Sequence, residues 1–164
     1  MDTLRVIALM AATLTMGFVA GAFVLYWHTV MPGLAKTDDR TFVGAFQAMD
    51  RAIINPWFMA GGFMGALLFT ILAGVLYWGK APFIWIAVAF VLYLIAFVIT
   101  IAVNVPMNDA LKAAGNPATI DVAAARERFD EAKWASFNLV RVITSTIAFG
   151  LLAWALTLVG KSGS

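Results

Sequence analysis

Four long stretches of the chain, Val6 to Trp27, Trp57 to Trp78, Ala81 to Asn108 and Val142 to Gly160, contain no Asp, Glu, Lys or Arg. Each approaches or exceeds the ~20 apolar residues that a helix needs to cross a bilayer core. The runs lack two-residue alternation and are too long for barrel strands, which excludes a closed barrel. The pattern predicts an all-α fold, a four-transmembrane-helix antiparallel bundle, with spans at about 4–30, 57–78, 82–105 and 135–159. All four belong to one expected domain over residues 1–164, with two longer, partly helical loops capping one end.

Between the spans the pattern changes. In the first, Thr13, Gly17 and Gly21 recur every four residues as a small-residue packing face, and His28, two turns on, falls on the same buried face. Pro32-Gly33 then breaks the helix. Asp38 or Asp39 caps a segment reaching about Ile54. Phe42, Phe46, Met49 and Ile53 form its apolar stripe, with Arg40, Gln47, Asp50 and Arg51 opposite, so it lies at the interface or over the bundle mouth. Gly61 and Gly65 offer close packing in the second span, and Trp78-Gly79-Lys80-Ala81-Pro82 is a tight turn that makes spans two and three antiparallel neighbours. Asp121 caps one long helix running through Trp134 and Arg141 to the end of the fourth span.

Composition adds exclusions. The chain is 63% hydrophobic and has no cysteine, so disulfides, thiolate catalysis and iron–sulfur clusters are ruled out. Histidine occurs once, at His28, which excludes a site built from several imidazoles of one chain; no metal site is expected. The net charge of +2 forms no basic stripe for nucleic acid. Arg5 followed by an apolar run and Ala20-Gly21-Ala22 imitates a signal peptide, but the run continues to Trp27, and an uncleaved span is the expectation. Eight Lys and Arg fall on the long-loop side against three on the other. The positive-inside rule therefore puts the long loops in the cytoplasm and both termini outside, in what is expected to be a bacterial cytoplasmic membrane.

One charge stands apart. Arg141 lies within a lipid-soluble helix, and a guanidinium at mid-membrane costs roughly 2.5–3.5 kcal/mol on insertion scales. Asn138, Arg141 and Ser145 share one helix face, and Thr100, Asn104 and Asn108 another, with Pro106 removing a backbone donor between the asparagines. His28, Asn55, Asn104, Asn108, Asn138 and Arg141 should all converge at the long-loop end, where Trp57 and Trp134 could line a pocket for a lipophilic ligand. Blander roles compete with this. Asparagines glue membrane helices together, tryptophans form interface belts, and Arg141 could snorkel or pair with Asp109.

The segments His28 to Leu34, Ile54 to Phe58, Asn104-Val105-Pro106-Met107-Asn108, and Trp134 through Asn138 to Arg141 resemble the stations of the DUF1772 family of four-span membrane proteins, which includes anthrone oxygenases. That resemblance implies oxidation of a fused-ring phenolic ketone by dioxygen to a quinone, without a dedicated organic cofactor. His28 would then be the base that removes the benzylic proton and Arg141 the stabiliser of the anion, with Asn104 and Asn108 orienting oxygens; Asn55, Trp57, Trp134 and Asn138 complete the candidate substrate-binding set. Two alternatives stay open beside it: a non-catalytic module that binds a lipophilic ligand or a partner protein, and a redox protein with haem ligated by His28. The expected partners are the bilayer and a lipophilic small molecule, with homo-oligomerisation left open.

Overall fold

The computed structural model describes residues 2–161; residue 1 and residues 162–164 of the expected unit lie outside the described residues. Helices long and apolar enough to cross a membrane run Thr3–Leu34, Trp57–Leu76, Phe83–Ala113 and Val122–Gly160. The described residues contain no strand. The protein is a four-span helical membrane protein.

The bundle closes on alternating steps of three and four. Leu9, Ala12, Met16, Val19 and Phe23 are among the buried positions of α1 (Asp2–Leu25). Asn138, Arg141, Ser145, Ala148, Leu152 and Ala155 are among those of α8 (Glu131–Lys161). This spacing keeps a seam on one face, whereas an unbroken four-residue step drifts by about 40° per repeat on a helix of 3.6 residues per turn. The drift corrects the first expectation. Gly17 approaches the Phe149 ring, but Gly21 is exposed with nothing near it, and His28 is exposed with it. In the bundle α8 packs against α1 and against α5 (Phe83–Ile99), and α4 (Gly65–Leu76) closes the ring between those two.

Three stretches widen to π-helical winding: Tyr26–Val30, Trp57–Met64 and Thr100–Asn104. Each adjoins a proline. Pro32 and Pro106 donate no backbone hydrogen bond and press on the carbonyl four residues back, and a locally wider turn relieves both problems. Pro32-Gly33 therefore does not end the helix, which continues through α2 (Met31–Leu34). The third span likewise runs on through α6 (Val105–Ala113). In the second span the wider winding shifts the packed face, so Gly62 sits against Phe18 while Gly61 is exposed.

The long loops build a cap with a core of its own. Asp38 starts α3 (Asp39–Ile53) by accepting from the Thr41 amide at 3.0 Å and its hydroxyl at 2.7 Å, bonds that hold the carboxyl below the usual range, the hydroxyl contributing most. Helix α3 lies over the bundle mouth and packs on α6 and on α7 (Val122–Phe129). Phe42, Val43, Phe46, Leu111, Phe129 and Trp134 are buried together there. Two polar residues assigned to the outer side of α3 are buried instead. Gln47 donates to the Leu111 and Gly115 carbonyls at 2.8 and 3.1 Å, and Asp50 faces α6. Asp121 caps only α7, because the chain turns through a left-handed Asp130 (φ 52°) before α8 starts. Arg126 clamps the cap, reaching Glu131 at 2.5 Å, the Thr37 carbonyl at 2.9 Å and Asp39 at 3.0 Å, with its guanidinium over the Phe42 ring.

Candidate functional site

Between cap and bundle lies a cavity of about 440 Å³. Its walls are overwhelmingly apolar. Phe23 comes from α1, Phe46 and Ile53 from α3, Phe58, Met59 and Phe63 from the start of the second span, and Phe97, Ile101 and Val105 from the third. Polar groups enter at two places only, one deep and one toward the cap, and Tyr26 lines the same space.

The deep group is Arg141, which is 5% exposed. One terminal nitrogen donates to the Thr100 hydroxyl at 3.2 Å and the other to Asn138 Oδ1 at 2.9 Å, while Nε is buried without a protein partner. The guanidinium lies 4.4 Å from the Phe23 ring centroid and 5.4 Å from that of Trp134. Among the described residues no carboxylate pairs with it; Asp109, a candidate partner in the sequence, is bound to Lys112 instead. Two neutral hydrogen bonds and the aromatic faces only partly offset the several kcal/mol that burying such a charge costs. The wall thus holds a cation without its counter-ion.

The second group is a chain of four side chains. Trp134 Nε1 donates to Asn108 Oδ1 at 2.8 Å, Asn108 Nδ2 donates to Asp50 Oδ1 at 2.6 Å, and Lys112 Nζ lies 2.6 Å from Asp50 Oδ2. Lys112 also meets Asp109 at 2.9 Å. Trp134 joins the two groups, with its N–H pointing to Asn108 and its ring face toward Arg141.

The structure brings together Arg141, Asn108 and Trp134 as cavity residues, with Asn138 directly behind Arg141. Asn138 and Asn104 tie spans together, donating to the Phe23 and Trp134 carbonyls at 3.2 and 3.3 Å, and Asn104 Oδ1 is buried without a protein partner. The others fall elsewhere. Asn55 caps the second span, its Oδ1 accepting from the Phe58 amide at 2.9 Å, and Trp57 is 76% exposed. His28 is exposed beside Thr29, whose hydroxyl oxygen is 2.5 Å from Nδ1, and it lines no part of the cavity. It therefore fits neither a base acting inside the cavity nor the axial ligand of an enclosed haem. Asp50, Lys112 and Tyr26 were missed, because their burial comes from elements distant in the sequence.

No curated protein and no solved structure matches the chain. The family model described as anthrone oxygenase matches residues 54–151, more than half of the sequence, and DUF1772 is another name for that family. The match takes in Asn108, Lys112, Trp134, Asn138 and Arg141, and leaves Tyr26 and Asp50 outside it. By this match, the chain belongs to the anthrone oxygenase family.

Proposed function

We propose that this protein oxidises a lipophilic, fused-ring phenolic ketone of the anthrone type to the corresponding quinone with dioxygen, in the cavity beneath the cap. The observation that carries this reading is the buried, carboxylate-free Arg141 on an otherwise apolar wall. Flat aromatic walls suit a polycyclic ligand, and the guanidinium suits the oxyanion that forms when the ketone loses its benzylic proton. Preorganised stabilisation of such an anion is worth roughly 10²–10³ in rate. In the overall reaction the ring CH₂ becomes a carbonyl. One atom of dioxygen enters that carbonyl and the other leaves as water, taking both hydrogens. Family membership supports the same chemistry.

The test is dioxygen uptake by the purified protein in lipid nanodiscs supplied with anthrone. One dioxygen should be consumed per quinone formed, read by electrode and by absorbance. No uptake above the protein-free blank, with anthrone and its hydroxylated forms alike, would reject the reading. The hydrogen bonds that tie Arg141, Asn138 and Asn104 across three spans favour a second reading, a non-catalytic binder of the same ligands. It predicts thermal stabilisation by such ligands with no oxygen consumed.

The proposed orientation has the cap in the cytoplasm, following the excess of basic residues on that side. The absence of cysteine makes this directly measurable. Lys80→Cys, in the short exposed turn, should react with an impermeant maleimide in intact cells, whereas Ala118→Cys in the cap loop should react only after permeabilisation. The reverse pattern would invert the topology.

A further inference from the structure

The cavity contains a buried carboxylate, that of Asp50. We propose that Asp50 is the general base that removes the benzylic proton from the ligand; the proposal rests on the oxidation reading above.

Asp50 is 7% exposed, lines the cavity, and reaches it from α3 in the cap. Its neighbours fix its orientation. An indole N–H only donates, so Asn108 must turn its oxygen to Trp134 and its NH₂ to Asp50. Lys112 holds the other oxygen at 2.6 Å, so the carboxylate is anchored at both oxygens. A carboxylate offers about four acceptor positions, and these two contacts leave some free for a ligand proton. The rival groups are less well placed. Asp109 is largely exposed at the rim and already bound to Lys112, and His28 is outside the cavity.

A shared cavity supports the pairing with Arg141. In an anthrone, the carbon that loses its proton and the ketone oxygen lie on opposite sides of the central ring. Base and cation must therefore stand on opposite sides of the bound ring. Asp50 and Arg141 line the same cavity, and between them stand the Asn108 amide, bonded to Asp50, and the Trp134 indole, which donates to Asn108 at its N–H edge and faces Arg141.

The steps balance. The C–H bond breaks, its proton passes to Asp50, and its electron pair spreads through the ring to the ketone oxygen beside Arg141. The anion gives one electron to dioxygen and combines with the superoxide so formed. Asp50 returns its proton to the resulting peroxide. Removal of the second benzylic proton by Asp50 then expels hydroxide across the O–O bond, leaving the quinone, and Asp50 reprotonates the hydroxide to water.

Anaerobic deuterium uptake at the benzylic carbon of anthrone isolates the first step from oxidation. Wild-type protein in nanodiscs in D₂O should accelerate exchange, and Asp50→Asn should slow it by about 10²-fold or more while the product quinone still raises its Tm. Asp50→Glu, which keeps the charge opposite Lys112, should fold even where Asp50→Asn does not, and should exchange at an intermediate rate. Exchange at the wild-type rate in either variant, with oxygen uptake intact in the wild type, overturns the role of Asp50 alone. Loss of exchange in His28→Ala but not in Asp50→Asn does the same. A wild type that neither exchanges nor consumes oxygen overturns both the base and the oxidation reading.

Discussion

Arg141→Met should lose turnover by about 10²–10³ while its thermal stability is unchanged or increased. The two effects separate because, among the described residues, no counter-ion pairs with buried Arg141. Replacing a poorly compensated buried ion by an apolar side chain of similar volume ranges from neutral to about 4 kcal/mol stabilising. The lost donors to Asn138 and Thr100 return part of that gain, since a buried acceptor left alone costs about 1–3 kcal/mol. A purely structural arginine predicts the reverse, a lower Tm with turnover per folded molecule preserved. Arg141→Lys is a useful companion. It keeps the charge but loses the planar fork that reaches Thr100 and Asn138 together, and should recover only part of the rate. Quinone-induced stabilisation should be present in the wild type and absent in Arg141→Met. Retained turnover together with retained ligand stabilisation would remove Arg141 from the site.

Phe46→Ala should destabilise the cap by about 3–5 kcal/mol and leave the membrane bundle folded. Phe46 is 2% exposed, and its ring centroid lies 4.7 Å from that of Phe129, 5.8 Å from that of Trp134, edge-on, and 6.1 Å from that of Phe42, stacked. Its removal opens a hole in a core made of cap residues, whereas the bundle core is a separate cluster around Met16, Tyr93 and Leu152. Limited proteolysis would show the difference. Cleavage should appear in the loops around residues 35–38 and 115–121, while the four spans remain protected. Because Phe46 also lines the cavity, turnover should fall even at temperatures where the cap remains closed. Unchanged protease resistance would mean that the cap does not depend on this cluster.

Features confined to one helix were the legible ones. Asn138, Arg141 and Ser145 repeat at three and four within α8, so helical geometry alone puts them on one side, and their burial follows the apolar seam they continue. The Trp78 to Pro82 turn was equally clear, because Gly79 adopts φ 72° where the chain reverses. Asp50 was not legible. On α3 it stands beside charged Arg51, and only α6, which brings Asn108 from 58 positions away, makes it a cavity residue. Gln47 was misplaced for the same reason. His28 failed differently: it is in phase with Gly21, but Gly21 has already drifted off the seam, and the π-helical turn at Tyr26–Val30 rotates the face again. The helix break expected at Pro32 failed because that same turn accommodates the proline.

Ile54, Ile101 and Val105 border the cavity and are among the exposed large apolar residues, with the latter two inside the third span. The rim is thus wetted by acyl chains as much as by water. For a ligand of the proposed kind, the quantity that governs occupancy is its mole fraction in the surrounding lipid. Adding empty vesicles at constant total ligand would then depress the rate by surface dilution, as for an interfacial enzyme. A KM quoted per litre of buffer would change with the amount of membrane in the assay.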